Sequence, residues 1–135
     1  MIKYREETYQ KGGNKMTVIS TVLILLVALE FLFILYLETF ATTSERTQRV
    51  FHLTKEELQR PSVNTLFKNQ GIYNGLIGIG LLYSVLFASA PVELSRLLLI
   101  YIILVALYGS ITSDKKIIFT QGGLAILALI TTFFL

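Results

Sequence analysis

The sequence predicts an all-α membrane protein: four transmembrane helices in one bundle, with a short cytoplasmic interfacial helix between the first and second. Composition is the first reason, because 53% of the residues are hydrophobic, only 16% are charged and the mean hydropathy is +0.64, unlike an ordinary soluble domain. The second reason is length, since a helix needs about 20 apolar residues to cross a bilayer. Four apolar stretches come close to that length: 17–40, 71–90, 94–112 and 116–135.

The first apolar stretch is interpreted as a retained span. It is too long for the apolar part of a cleavable signal, and no small-residue cleavage site follows it. Residues 1–15 form a polar leader before this stretch. The last residues of the leader can be encoded by purine-rich codons. Such codons would resemble a bacterial ribosome-binding site placed directly before Met16. We therefore expect residues 1–15 to be a doubtful leader from an over-called start, with a real polar tail as the alternative, and residues 16–135 to be the four-helix transmembrane domain.

The connection between the first two spans has a helical signal of its own. Thr54 and Glu57 have the spacing of a capping box, which predicts a short helix that Pro61 ends. Ser62 is then expected to cap the next helix, which runs through "NQGIYNG" into the membrane. Four apolar side chains suggest that the connection lies on the membrane surface or plugs the bundle and is not merely solvated: Val50, Phe51, Leu53 and Leu58.

The distribution of basic residues predicts the orientation. The first connection, residues 41–70, holds five Lys or Arg side chains, and the third adds Lys115 and Lys116. The opposite side has Arg96 alone if the chain starts at Met16, or five basic residues if the leader is counted. Basic loops stay in the cytoplasm. The prediction is a multi-pass protein of the bacterial cytoplasmic membrane with both termini outside.

Polar side chains concentrate toward the cytoplasmic ends of the predicted spans. Counting about 1.5 Å per residue from each boundary puts Glu38 roughly 3 Å inside, Asn74 and Gln121 roughly 6 to 9 Å inside, and Glu30 roughly 15 Å inside. This distribution predicts a polar basin open only toward the cytoplasm. The candidate ligand-binding residues are Glu30, Glu38, Asn69, Gln70, Tyr73, Asn74, Tyr101, Tyr108 and Gln121.

Glu30 has the strongest sequence signal in this set. An ionised carboxylate near the midplane of a bilayer is costly, so such a residue should face the bundle interior. No Lys or Arg lies at that depth. We expect a neutral acid bonded to neutral donors, Tyr101 first, either as part of the basin or only as a core hydrogen bond. Glu38 lies nearer the interface and is expected to pair with Arg46 or Lys116.

Small residues predict close helix packing beside the polar positions. Gly71 and Gly75 form a G-x-x-x-G pair, which allows a neighbouring backbone to approach closely. Gln70 and Asn74 lie about 40° apart on a helix and are expected to share one face with these glycines. The same two side chains could instead form interhelical hydrogen bonds without a ligand. The predicted packing glycines are Gly71, Gly75, Gly78, Gly122 and Gly123.

Two function classes fit these observations. One is a binding or transport-type protein whose basin holds a small amphipathic or cationic molecule. The other is a structural or interaction subunit whose polar residues only lock helices together. An enzyme is less favoured, because the sequence has no recognisable nucleophile–base pair or phosphate loop, no cysteine and a single histidine, His52. We predict no cofactor, metal or nucleic acid. The expected partners are the lipid bilayer and a small molecule, and a homo-oligomer is compatible with the sequence.

Several segments resemble one bacterial membrane-protein family. "ALEFLFILYLETF", "RVFHL", "NQGIYNGLIGIGLL", "YGS" and "FTQGGLAILAL" are similar to the family known as domain of unknown function 1304, and the likeness covers residues 16–135. His52 stands where the family pattern "FGL" has glycine, and Thr42 or Thr43 lies near a common tryptophan position. The resemblance implies a four-helix inner-membrane protein but no activity. Its family-type positions are Glu30, Glu38, Asn69, Gln70, Tyr73, Asn74 and Gln121.

Overall fold

The computed structural model describes residues 15–135, and every regular element in that range is helical. The predicted leader therefore lies outside the described residues except for Lys15. Seven α-helices and one π-helical turn occur in this order: α1 (Val18–Leu35), the π turn (Tyr36–Phe40), α2 (Glu45–Phe51), α3 (Lys55–Gln59), α4 (Pro61–Leu86), α5 (Pro91–Thr112), α6 (Ile117–Thr120) and α7 (Gly123–Phe134). The all-helical prediction is confirmed for this part of the chain.

Two of the helical segments have the length and composition to cross a membrane. They are Val18–Phe40 and Pro91–Thr112, of 23 and 22 residues. α4 is longer, at 26 residues, but it carries Asn69, Gln70 and Asn74 among its apolar residues. α7 is apolar but has only 12 residues. Helix length and composition therefore directly support two of the four predicted spans.

The fourth apolar stretch, residues 116–135, is interrupted. α6 ends at Thr120 and α7 begins at Gly123. Ser110 Oγ accepts a hydrogen bond from the Ile118 backbone N–H at 2.6 Å. A Cβ atom at Gly122 would lie 2.7 Å from the Ile118 carbonyl oxygen, so only glycine fits this interruption without a shift of backbone.

The described chain divides into two compact units, with boundaries inside α1 and α4. The 28–79 unit is Ala28–Ile79. The 80–135 unit is Gly80–Leu135 together with the described part of Met1–Val27.

The 28–79 unit contains the connection whose short helix the sequence predicted. In α3 the Thr54 side chain accepts from the Glu57 N–H at 3.1 Å, and the Glu57 carboxyl accepts from the Thr54 N–H at 3.2 Å. This is the expected capping box. Pro61, however, is the first residue of α4, where its missing N–H costs nothing. Ser62 is therefore inside the helix and does not cap it.

A second helix in this connection, α2, has no counterpart in the sequence predictions. Ser44 caps its start by accepting from the Thr47 N–H at 3.2 Å, and His52 ends it in the left-handed conformation with φ 56°. The Phe51 ring meets the Phe67 ring edge-on at 5.2 Å, and Leu58 is fully buried. The connection is therefore packed through these two apolar residues and is not simply solvated.

The 80–135 unit is held by α5, which packs on α6 and α7. Its buried apolar residues are Ile24, Val27, Leu81, Val92, Leu99, Ile102, Ala106, Ala125 and Ala128. Hydroxyl groups join its segments: Ser20 Oγ donates to Thr131 Oγ1 at 2.9 Å, and the Ser84 and Ser95 hydroxyls lie 2.8 Å apart. Such neutral pairs satisfy polar groups inside an apolar bundle.

Candidate functional site

Glu38 is the one acidic residue within 15–135 that the fold buries completely. It lies in the π turn, where the Ala41 N–H donates to the Tyr36 carbonyl five residues earlier at 2.9 Å. Its relative exposure is 0%. The Thr42 hydroxyl donates to the Glu38 backbone carbonyl at 2.7 Å, which holds the end of the turn. Single π turns within helices are rare and often occur at functional sites.

Asn74 is the hydrogen-bond partner of this carboxyl. Its Nδ2 donates to Glu38 Oε1 at 2.6 Å, and its side chain is itself buried. Glu38 Oε2 is buried and has no hydrogen-bond partner among residues 15–135. A carboxylate can accept about four hydrogen bonds, so this group keeps unused acceptor capacity in a closed environment. Asn74 takes the place of Arg46 and Lys116, the partners expected for Glu38.

Glycines on α4 allow this contact. A Cβ atom at Gly71 would lie 3.0 Å from both Glu38 Cβ and the Thr39 backbone nitrogen. One at Gly75 would lie 3.1 Å from Leu35 Cβ, and one at Gly78 would lie 3.0 Å from the Ala28 carbonyl oxygen. Their spacing with Asn74 is that of one helical face. The predicted packing glycines of α4 therefore lie along the same contact as the Glu38–Asn74 pair.

The remaining predicted residues of the 28–79 unit lie elsewhere. Asn69, Gln70 and Tyr73 are exposed, Tyr73 at 71%. Glu30 is partly exposed. Gln70 and Asn74 follow each other along α4, but they differ in burial: Asn74 is buried and donates to Glu38 in the π turn, whereas Gln70 is exposed.

The predicted residues of the 80–135 unit are mainly peripheral. Tyr101 and Tyr108 are 51% and 70% exposed, and Gln121 is half-buried at the interruption between α6 and α7. Gly122 is buried, whereas a Cβ atom at Gly123 would have no neighbour within 4 Å. Of the nine candidate residues, the structure thus joins Glu38 and Asn74 by a hydrogen bond.

A cavity that the sequence did not predict lies in the 80–135 unit. It has a volume of about 340 Å³, and Thr17, Ser20, Thr131 and Thr132 contribute to its lining. Thr17 donates to Ser20, Ser20 to Thr131, and Thr131 to the Ala128 carbonyl. Because the Thr17, Ser20 and Thr131 hydroxyls already have hydrogen-bond partners, they offer a ligand fewer free polar groups than the Glu38 Oε2 atom, which has no partner among residues 15–135.

The site chemistry is that of a carboxyl group beside a neutral amide. Within residues 15–135 no group of three or more His, Cys, Asp or Glu side chains could hold a metal ion. A carboxyl and an amide can hold a proton, accept a donor or balance a cation.

Comparison with known proteins places this geometry in a family. The model of the family described as "Protein of unknown function (DUF1304)" matches residues 25–133. The chain belongs to the DUF1304 family. The "Uncharacterized protein YpaA" of Lactococcus lactis subsp. lactis (strain IL1403) is 71% identical over 119 residues, which cover 88% of this chain and 100% of that protein. No solved structure matches the chain. The resemblance seen in the sequence is thereby confirmed, and the Glu38–Asn74 pair lies inside the DUF1304 match.

Proposed function

We propose that this DUF1304-family protein is a multi-pass integral membrane protein that binds a small amphipathic cation at the Glu38–Asn74 pair. The observation that carries the proposal is the buried Glu38 Oε2 atom, which has no hydrogen-bond partner among residues 15–135. In this proposal a positively charged ligand is the partner of the Glu38 Oε2 atom. The exposed residues Asn69, Gln70 and Tyr73 would line the approach, with Glu30 deeper in the same unit.

Charge is the reason to favour a cation over a neutral or anionic ligand. Burying a carboxylate costs several kcal/mol unless it is paired and hydrogen-bonded, and a single amide donor from Asn74 meets only part of that requirement. A cation beside Oε2 would balance the charge directly. An anion would be repelled by the same group.

The proposal includes more membrane spans than helix length and composition alone support. Val18–Phe40 and Pro91–Thr112 qualify as spans by length and composition, and we propose that the other two apolar stretches, residues 71–90 and 116–135, also cross. The basic connections at 41–70 and at Lys115 and Lys116 then lie in the cytoplasm, with both termini outside. The Glu38–Asn74 pair would accordingly lie near the cytoplasmic surface.

Access to the pair requires local movement. Glu38 is fully buried and Asn74 is 8% exposed, so a ligand must separate α4 from the π turn before it reaches Oε2. The Thr39 hydroxyl, which donates to the Lys68 carbonyl at 2.9 Å, joins the same two segments and would have to give way as well. Ligand binding and the packing of these two segments are therefore coupled in this proposal.

Binding of tetraphenylphosphonium tests the proposal. This ion is an amphipathic cation without N–H donors, so its affinity reports charge pairing. We expect the purified protein to bind it saturably in calorimetric titration, and Glu38→Gln to weaken binding by about tenfold or more, because the anionic partner is lost. Glu93→Gln, at an exposed position in the first turn of α5, is the matched control. Equal affinity of Glu38→Gln and wild type would refute the proposed site.

Cysteine labelling tests the orientation in a chain that has no cysteine of its own. Residues introduced at Ser44 and Ser113 should react with a membrane-impermeant maleimide only from the cytoplasmic side. A cysteine at Ser89, which is exposed between α4 and α5, should react from outside. Ser95 is unsuitable because it is buried against Ser84. Labelling of Ser44 from outside would reverse the proposed topology.

A second candidate function is a structural or interaction subunit. The bond from Asn74 to Glu38, the bond from Thr39 to the Lys68 carbonyl and the close approach at Gly71 all fasten α4 to the π turn. These contacts would have the same geometry if their only role were to lock helices. A protein whose stability falls when Glu38 is changed, and which binds no cation in the titration, would support this candidate.

A further inference from the structure

An exposed aromatic face runs along the end of α1 and the π turn. Phe33, Tyr36 and Phe40 are 42%, 54% and 75% exposed. The Phe33 and Tyr36 rings are stacked with centroids 6.5 Å apart. Tyrosine, like tryptophan, concentrates where a membrane meets water, and Tyr36 lies between the two phenylalanines of this face. Their position at the end of an apolar segment of 23 residues suits that boundary.

A guanidinium group lies over this face. Arg46 Cζ is 5.9 Å from the centroid of the Phe33 ring, a distance at which a cation is attracted to an aromatic face. The side chain is exposed. Its guanidinium, which has five donors in a planar fork, therefore remains available beside an apolar surface.

We propose that Arg46 and the Phe33, Tyr36 and Phe40 rings form a binding surface for an anionic phospholipid. The guanidinium holds the phosphate of the headgroup, and the aromatic rings pack along the upper part of an acyl chain. The proposal rests on the proposed function only in that the chain must lie in a bilayer.

Chemical complementarity is the reason to propose an anionic phospholipid on this surface. A guanidinium matches the oxygens of a phosphate in a two-bond geometry that a lysine ammonium does not reproduce. Residues 41–70 hold five basic and three acidic side chains, so the surroundings also attract negative charge. Glu45, the acidic neighbour of Arg46 in sequence, reduces this attraction without reversing it. A zwitterionic lipid carries an ammonium group that the basic surroundings repel, so the surface should prefer phosphatidylglycerol to phosphatidylcholine.

Lipid competition on the full chain tests this surface. The protein is placed in nanodiscs that contain spin-labelled phosphatidylglycerol or phosphatidylcholine, and the fraction of motionally restricted lipid is measured for each. Wild type should prefer phosphatidylglycerol. Arg46→Ala should reduce that preference by about fivefold, the effect of one basic residue near the surface. Arg46→Lys should recover part of it, and Phe33→Leu should lose part because the ring beneath the guanidinium is gone.

Arg60→Ala is the matched control, since Arg60 is exposed in the same connection. Unchanged lipid preference in Arg46→Ala, or an equal loss in Arg60→Ala, would overturn the proposal. Tetraphenylphosphonium titration of the wild type separates this outcome from a failure of the Glu38 site: normal cation binding by a wild-type protein that shows no lipid preference rejects the lipid surface alone. Extraction from membranes at alkaline pH checks independently that each variant is integrated.

Discussion

The two compact units bury polar groups in different ways. In the 80–135 unit the buried contacts are pairs of neutral hydroxyls, such as Ser84 with Ser95 and Ser20 with Thr131, and the Ser84 and Thr131 hydroxyls also donate to backbone carbonyls. In the 28–79 unit the buried contact between side chains joins a carboxyl to an amide, and Glu38 Oε2 has no partner among residues 15–135. Both kinds of contact join separate segments of the chain. The carboxyl–amide contact differs because it leaves a buried oxygen that can still accept a hydrogen bond.

This difference bears on the two candidate functions. If helix locking were the sole requirement, a neutral pair of small side chains would meet it, as it does in the 80–135 unit. A buried carboxyl adds a desolvation cost that locking does not need. The comparison therefore favours a binding role for Glu38.

The largest expected effect is at Gly71. Leucine there would overlap the Thr39 side chain and press on the Glu38 backbone segment, so Gly71→Leu should lower the free energy of unfolding by about 3 kcal/mol, as overpacking does. Gly123→Leu is the control, because a Cβ atom there has no neighbour within 4 Å. Thermal unfolding in detergent compares the two. Similar unfolding temperatures would mean that the close contact of α4 with the π turn does not contribute to stability.

A smaller loss is expected for Glu38→Leu. It leaves the buried Asn74 amide without its acceptor, which costs about 1 to 3 kcal/mol. Glu38→Gln retains the shape and an oxygen that can accept from Asn74, so its stability should stay close to that of wild type. Chemical unfolding of both variants provides the measurement. A Leu variant more stable than the Gln variant would show that the Asn74 bond is dispensable.

The smallest effect is expected for the hydroxyl pair. Ser84→Ala or Ser95→Ala alone should cost about 0.6 kcal/mol, the average for polar contacts between membrane helices. The double variant should cost less than the sum of the two single losses, because removing both partners leaves no unpaired group. A double-mutant cycle on unfolding free energies measures the coupling. If Ser84–Ser95 proved as strongly coupled as Glu38–Asn74, the contrast between the units would disappear.

The sequence predicted those parts of the fold that local rules determine. α3 followed from the Thr54 and Glu57 capping pattern, and the segments that contain α1 and α5 followed from long apolar runs. α2 has only seven residues, too few for a periodic pattern. The interruption at Gln121 and Gly122 depends on tertiary contacts with Ser110 and Ala106. A Gln–Gly pair also occurs at Gln70 and Gly71 inside the continuous α4, so the dipeptide does not predict the break.

For the site, the sequence named both members of the pair but not the pairing. Counting depth placed Glu38 and Asn74 within a few ångströms of each other along the membrane normal. Depth along the membrane normal does not show how a helix is rotated about its axis, however. Depth also favoured Glu30 as a site residue, because Glu30 lies near the centre of its predicted span. Rotation in this structure depends on the π turn, which shifts the residues that follow it around the helix axis. That turn has no signature in the sequence, and it accompanies the burial of Glu38.

Carbodiimide labelling shows whether the buried Glu38 carboxyl belongs to a binding site that opens. Dicyclohexylcarbodiimide is an apolar reagent that modifies protonated carboxyl groups in apolar surroundings, and peptide mass spectrometry locates the modification. If Glu38 belongs to a binding site that opens, the reagent should modify Glu38 in wild-type protein, and tetraphenylphosphonium should slow this reaction while modification of the partly exposed Glu30 continues. An unmodified Glu38, or a reaction that the cation does not slow, would contradict the binding account and leave the helix-locking subunit as the better description.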